Sequence, residues 1–147
     1  MKDILLKITG KTIKIENGQE NSEDLIEMIT EGRYASRDGI TRLEYLDTEM
    51  LGNGEEVHTA ITVTSQKVLL KRISKNLPTG TLMEFQEGKR YAGKYDTPYG
   101  PINIEIYTNE ILADDFDNRG AKLQLDYNIW LTGLEETHTK LQIERIN

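Results

Sequence analysis

The chain contains no cysteine, and only two histidines and three prolines stand among its 147 residues. Without cysteine there is no disulfide framework, no thiolate nucleophile and no cysteine-based metal site. Long hydrophobic runs are missing too. The N-terminus offers only Ile4-Leu5-Leu6 in succession, far short of a signal segment, and nothing approaches a membrane span. Hydrophobic residues make up 37% of the chain and mean hydropathy is −0.56. That is little for a thick multilayer core. It suits a single sheet closed on itself, which needs apolar side chains on one face only.

Positive charge is scarce as well. Eighteen Lys and Arg against 25 Asp and Glu leave a net charge of −7, with a pI near 4.9. The densest basic clusters are Lys71-Arg72 and Lys89-Arg90, and no basic stripe exists that could neutralise a row of phosphates. Bulk binding to nucleic acid or to an anionic membrane is excluded on these grounds, and the cytoplasm is the expected setting. The length suits one domain spanning residues 1–147, and seven Tyr, two Phe and many Ile and Leu argue against disorder.

What is present is alternation. From Met83 to Ile106 the chain reads as three strands separated by two turns. Met83 and Phe85 alternate with polar residues, and Gly88 marks a turn. Tyr91, Gly93 and Tyr95 share a face, Thr97-Pro98-Tyr99-Gly100-Pro101 turns again, and Ile102, Ile104 and Ile106 follow at spacing two. Such alternation marks a sheet with one face buried and one face wet.

The same pattern covers the remainder. Strand one runs from Asp3 to Ile15, with a change of parity near Gly10 that predicts a bulge there. Asn17-Gly18 through Ser22 reads as a loop. Strand two, Leu25 to Ser36, and strand three, Ile40 to Asp47, flank Asp38-Gly39, the expected pair for a type I′ hairpin. That turn sets Tyr34 opposite Leu43, Gly32 opposite Tyr45 and Arg33 opposite Glu44, with Tyr45 covering the bare backbone of Gly32. Strand four, Glu55 to Thr64, turns Val57, Thr59, Ile61 and Val63 inward and His58, Ala60 and Thr62 outward. Strand five, Lys67 to Ser74, follows Ser65-Gln66. Glu49–Gly54 and Leu77–Gly80 read as connections, and Asp114–Gly120 as a polar loop. Leu123, Leu125, Tyr127, Ile129 and Leu131 then point inward from strand nine. Past a turn at Gly133–Glu136, Leu141 and Ile143 do so from strand ten. No segment carries a sustained helical period. The reading is an all-β, single-domain, closed or nearly closed antiparallel up-and-down barrel of about ten strands. A two-sheet sandwich would show longer crossing connections.

Certain segments also resemble a known family. Thr30-Glu31-Gly32, Asp38-Gly39 with Leu43-Glu44-Tyr45, Phe85-Gln86-Glu87-Gly88 and, above all, Tyr95-Asp96-Thr97-Pro98-Tyr99-Gly100 resemble the YwiB-like family of uncharacterised bacterial proteins, described as calycin-like, that is, lipocalin-like β-barrels. The resemblance covers roughly Thr30 to Ile143. It implies a barrel and a cytoplasmic setting, and it carries over no activity. The first strand and the Asp114–Gly120 loop hold no matching signature.

The candidate sites follow from facing. His58 and His138 fall on outward positions of separate strands, so no metal site is expected. Asp115-Phe116-Asp117-Asn118-Arg119-Gly120 begins like a calcium loop, with Asp126 at the twelfth place. Arg119 stands where an oxygen ligand belongs, however, and a strand follows where a helix is required. Thr97-Pro98-Tyr99-Gly100 is explained by turn chemistry at a rim. No nucleophile–base–orienter set can be assembled, which speaks against an enzyme, although a pair among the 25 acids is not ruled out by sequence. No cofactor is implied, and the oligomeric state is not legible.

Two function classes remain. In the first, the barrel is non-catalytic and binds a small, partly apolar molecule inside. A two-residue turn at Ser65-Gln66 pairs Val63 with Val68, Ile61 with Leu70 and Thr59 with Arg72, which aims a guanidinium into the barrel. Its partner would be Asp47, an inner phenol or the carboxylate of a ligand. Arg72, Thr59, Tyr45, Tyr91, Tyr95 and Phe85 are then the ligand-binding candidates, with Ile61, Phe85 and Ile104 against an apolar tail. The competing account has Arg72 reaching solvent at a mouth, or turned outward by a bulge. In the second class the outer surface engages a protein partner through Trp130, an outward residue that the strand-ten hairpin would set beside His138 or Lys140.

Overall fold

The computed structural model describes residues 1–47, 56–74, 80–97, 99–131 and 136–147, and every regular element in them is a β-strand. These are β1 (Lys2–Glu16), β2 (Gln19–Arg37), β3 (Ile40–Asp47), β4 (Val57–Val63), β5 (Val68–Ser74), β6 (Thr81–Phe85), β7 (Arg90–Thr97), β8 (Gly100–Ala113), β9 (Lys122–Leu131) and β10 (Glu136–Arg145). They form one sheet in the order β6-β5-β4-β3-β2-β1-β10-β9-β8-β7, each neighbouring pair antiparallel. β1 therefore pairs with both β2 and β10, and the edges of the sheet are β6 and β7. No ladder joins those two among the described residues. The Tyr91 O–H to Leu82 C=O contact at 3.5 Å spans them, and a parallel bridge between Glu87 and Thr108 with the Gly88 N–H to Thr108 C=O bond at 2.9 Å fastens the β6–β7 turn to β8. The barrel is nearly closed, and its seam lies in mid-chain.

The hairpin registers are those the turns dictate. Asn17 and Asp38 have φ of 53° and 54°, and the glycines after them 75° and 78°, the left-handed pair that a type I′ turn requires. Tyr34 faces Leu43, Gly32 faces Tyr45 and Arg33 faces Glu44. Val63, Ile61 and Thr59 face Val68, Leu70 and Arg72. The Arg33–Glu44 pair, at 3.3 Å, lies on the wet face and contributes little.

Three local expectations are corrected. The ladders from β1 to β2 and β10 run unbroken through Gly10, and the register shift falls at Lys14/Ile15. A bulge at Gly10 would break two ladders at once, so the strand keeps its phase and leaves Ile13 and Ile15 half-covered on the outer face. The loop expected over residues 17–22 shrinks to Asn17-Gly18, with β2 beginning at Gln19. Gly32 is covered chiefly by Leu6 rather than Tyr45: an added Cβ there would stand 2.6 Å from Leu6 Cδ1 and 2.9 Å from the Glu44 carbonyl oxygen. The connection at Glu49–Gly54, most of that at Leu77–Gly80, Glu55, Pro98 and the turn at 133–135 lie outside the described residues, as does the side chain of Asp47.

The core fills the half of the barrel nearest the β2–β3, β4–β5, β6–β7 and β8–β9 connections. Leu6, Ile8, Leu43, Ile61, Leu70, Met83, Phe85, Ile106, Leu123, Leu125 and Ile143 are all sealed from solvent. Phe116, from the β8–β9 loop, joins them at 1% exposure and plugs that mouth. Arg145 fastens the plug: its Nη1 donates to the Phe116 carbonyl at 2.6 Å and to the Tyr34 phenol oxygen at 3.3 Å. The loop that reads as polar in sequence is thus the lid of the core.

Candidate functional site

The other half of the interior is polar. It lies towards the strand ends Asp47, Ser74, Thr97 and Leu131, where the inner-face rows carry hydroxyls, phenols and one cation. In the row Tyr45–Thr59–Arg72–Thr81 each residue faces the next across a ladder. Thr59, Ser74 and Thr81 are buried at 2%, 4% and 5% exposure. These hydroxyls follow directly from strand alternation, since each stands two or four residues from an apolar inner neighbour on its own strand.

Arg72 faces inward. A bulge that would turn it out is absent, because its ladders to Thr59 and Thr81 are regular. The residue is half-buried, and its Nε is screened from water. Its charge is felt by Tyr127, a phenol enclosed on the far wall. Burial raises the Tyr127 pKa above its ordinary value, the Arg72 cation pulls it back, nearby Tyr95 adds to the rise, and a hydrogen bond with Thr139 opposes it. Arg72 and Tyr95 are thus the inner groups whose charge bears on Tyr127. A guanidinium drawn partly out of water keeps its proton and needs electron-rich company.

The remaining interior candidates divide. Phe85 packs against Tyr127 with ring centroids 4.7 Å apart, forming the floor of the polar half. Tyr91 leans across Gly93, whose missing side chain leaves the space: a Cβ there would lie 2.7 Å from the Tyr91 ring. Tyr91 thereby spans the β6–β7 seam to the Leu82 carbonyl instead of pointing at Arg72. Ile61 and Phe85 are sealed in the packed half and Ile104 is buried opposite Leu131, so they are not accessible to a ligand tail. The inner-facing apolar side chains left half-buried at this end include Tyr95, Ile102, Ile129 and Leu131. Thr59, an inward candidate in the sequence, has one property that facing does not reveal. Thr59 Oγ1 is buried and has no hydrogen-bond partner among the described residues, and alternation alone gave no sign of that.

The model of a family described as "Domain of unknown function (DUF1934)" matches residues 7–143. The chain belongs to this family. A crystal structure of the ywiB protein from Bacillus subtilis superimposes on this DUF1934 barrel with a TM-score of 0.72. The match covers 100% of this chain and 95% of that one at 19% identity, a likeness of fold. No curated protein matches the chain.

The outer surface of the DUF1934 barrel holds a wider feature than its interior rows. A groove of about 870 Å³ crosses β1 to β5, floored by Leu5, Leu46, Ala60 and Ile73, with His58 beside them and charges of both signs around the rim. It is open to solvent, and no sequence pattern announced it, because its floor is assembled from single outward residues of separate strands. The Trp130 surface lies elsewhere, on β9. Trp130 faces Glu136 of β10 and Glu105 of β8, and its ring is covered by Arg90 of β7 at 5.0 Å. The expected His138 or Lys140 neighbour is replaced, because the register puts His138 opposite Asn128 and Lys140 opposite Asp126. His138 instead bonds Asp126 through Nε2. Among the described residues no three His, Asp or Glu side chains converge as metal ligands, and no helix is long and apolar enough to cross a membrane.

Proposed function

We propose that this DUF1934 chain is a non-catalytic, calycin-like barrel that takes a small, partly apolar anion into the polar half of its interior. The observation that carries the reading is the inward Arg72, set between Thr59 and Thr81 and facing the Tyr95–Tyr127 wall. A carboxylate or similar head group would accept from the guanidinium, with the Thr59 hydroxyl as a second donor. The apolar part would lie against Tyr95, Ile129 and Leu131. Lack of cysteine and the acidic balance fit a cytoplasmic role. The alternative, a protein partner anchored on Trp130, is weakened because Arg90 of the same chain already covers the indole.

Native mass spectrometry and calorimetry with decanoate and with decylamine test the reading. Decanoate should bind saturably and the amine should not, and Arg72→Met should weaken decanoate binding by about tenfold or more. Equal binding of both probes, or binding that Arg72→Met leaves intact, sinks it.

A further inference from the structure

The N-terminal part of β2 is paired on one side only. Gln19 to Glu31 lies against β1, whereas the β3 ladder covers only Gly32 to Arg37, with the Thr30 hydroxyl donating to the Leu46 carbonyl at 3.0 Å just beyond it. Among the described residues nothing else pairs with this stretch. Its residues from Gln19 to Glu27 are exposed. Leu25 and Ile29 are each 64% exposed, and Ile26 is 37%. A long edge of this kind presents a row of backbone N–H and C=O groups ready to take another strand.

The chemistry of the edge selects its occupant. Glu20, Glu23, Asp24, Glu27 and Glu31 all lie on it, without one basic residue from Gln19 to Glu31. Among the described residues, only Glu23 and Glu27 of this row find cations, in Lys11 at 3.4 Å and Lys7 at 3.1 Å on β1. Natural edges are commonly guarded by lysine, and this one is guarded by acid. A second copy would bring the same five acids against these, on a chain whose net charge is already −7. A strand carrying alternate lysines or arginines would instead meet the outer-face row Glu20, Glu23, Glu27 and Glu31 with opposite charge, while its apolar positions, on the other face, cover Ile26.

We infer that the free edge of β2, residues 19–31, is a docking site for an extended basic segment of a partner protein, which adds to the sheet as an eleventh strand. Backbone bonds hold the segment, and the acid row selects its charge.

The test uses the full chain and a fluorescent synthetic peptide of about eight residues alternating Lys with Val, the length of an ordinary strand. Three controls accompany it: the same peptide with Glu for Lys, one N-methylated at alternate residues, and the Glu20→Lys/Glu31→Lys variant. The Lys peptide should bind saturably and slow hydrogen exchange in residues 19–31. Each control should weaken binding by about tenfold. The exposed double substitution should leave the urea midpoint unchanged, so that loss of binding is not loss of fold. No saturable binding, or binding that tolerates N-methylation, overturns the inference. So does sedimentation showing that the free chain dimerises and that Ile26→Lys makes it monomeric, because the edge would then be filled by a second copy.

Discussion

Tyr34 of β2 donates its phenol hydrogen to Asp117 Oδ1 at 2.9 Å, a bond that ties the second strand to the β8–β9 loop across the plugged mouth. Arg145 completes the arrangement from β10, with its guanidinium 5.1 Å from the Tyr34 ring centroid. Removing the cation strands the Phe116 carbonyl and loosens the lid. Arg145→Met is expected to cost about 2 kcal/mol, the range for hydrogen bonds that involve a charged group. Urea denaturation measures it, and a change within error would show that the plug holds by packing alone.

Two phenols give the fold a sensitivity to alkali. Burial is the main cause of the raised Tyr34 pKa, with its bond to Asp117 next, and burial likewise raises that of Tyr127. Both release a proton more readily when unfolded, near the ordinary value of about 10. Their contribution is therefore complete below that pH and is lost as pH climbs through the folded values. Stability followed by urea midpoint from about pH 9 upward should decline, and the decline should be shallower in Tyr34→Phe and Tyr127→Phe. Parallel curves for wild type and both variants would refute the assignment.

Gly32 and Gly10 should respond oppositely to alanine. At Gly32 the new methyl meets Leu6 and a backbone carbonyl, and overpacking of this kind costs about 1–3 kcal/mol. At Gly10 nothing stands within 4 Å of the added carbon, so alanine should be neutral or stabilise by roughly 0.5 kcal/mol through lower unfolded-state entropy. Thermal melts of the two variants decide whether the close approach at Gly32 is real.

Arg90 should act as a cover for Trp130. It lies 5.0 Å from that ring and also 5.7 Å from Tyr107, and its Nη1 contacts Glu105 at 3.2 Å. In Arg90→Ala the indole should become more accessible to acrylamide and its emission should shift red, with a stability loss of about 0.5–1 kcal/mol. Unaltered quenching would mean that another group shields the ring.

Much of the fold was legible because period-two alternation and two-residue turns act over short range. Asp38-Gly39 and Ser65-Gln66 fixed registers that reach from Gly32 to Arg72, and with them the inward facing of Arg72. What escaped depends on distant neighbours. Whether the parity change near Gly10 becomes a bulge is decided by β2 and β10 together, which sequence order does not show. Phe116 looked like part of a polar loop because its apolar company comes from the whole barrel end. Arg90 reaches Trp130 from two strands away. The burial of Ile61, Phe85 and Ile104, which moves the accessible apolar surface to Tyr95, Ile129 and Leu131, likewise depends on how tightly ten strands curl.

The placement of the seam has a consequence for how the chain is made. Every ladder but one joins strands that leave the ribosome in succession. The exception is β1 with β10, whose partners Thr12 and Thr139 are 127 residues apart. At a synthesis rate of about 5–20 residues per second, β1 waits on the order of ten seconds for its second neighbour. Throughout that interval Ile4, Leu6 and Ile8 face a half-built wall. β10 is therefore the strand that converts an open, curling sheet into a barrel, and the fold cannot close before it has emerged.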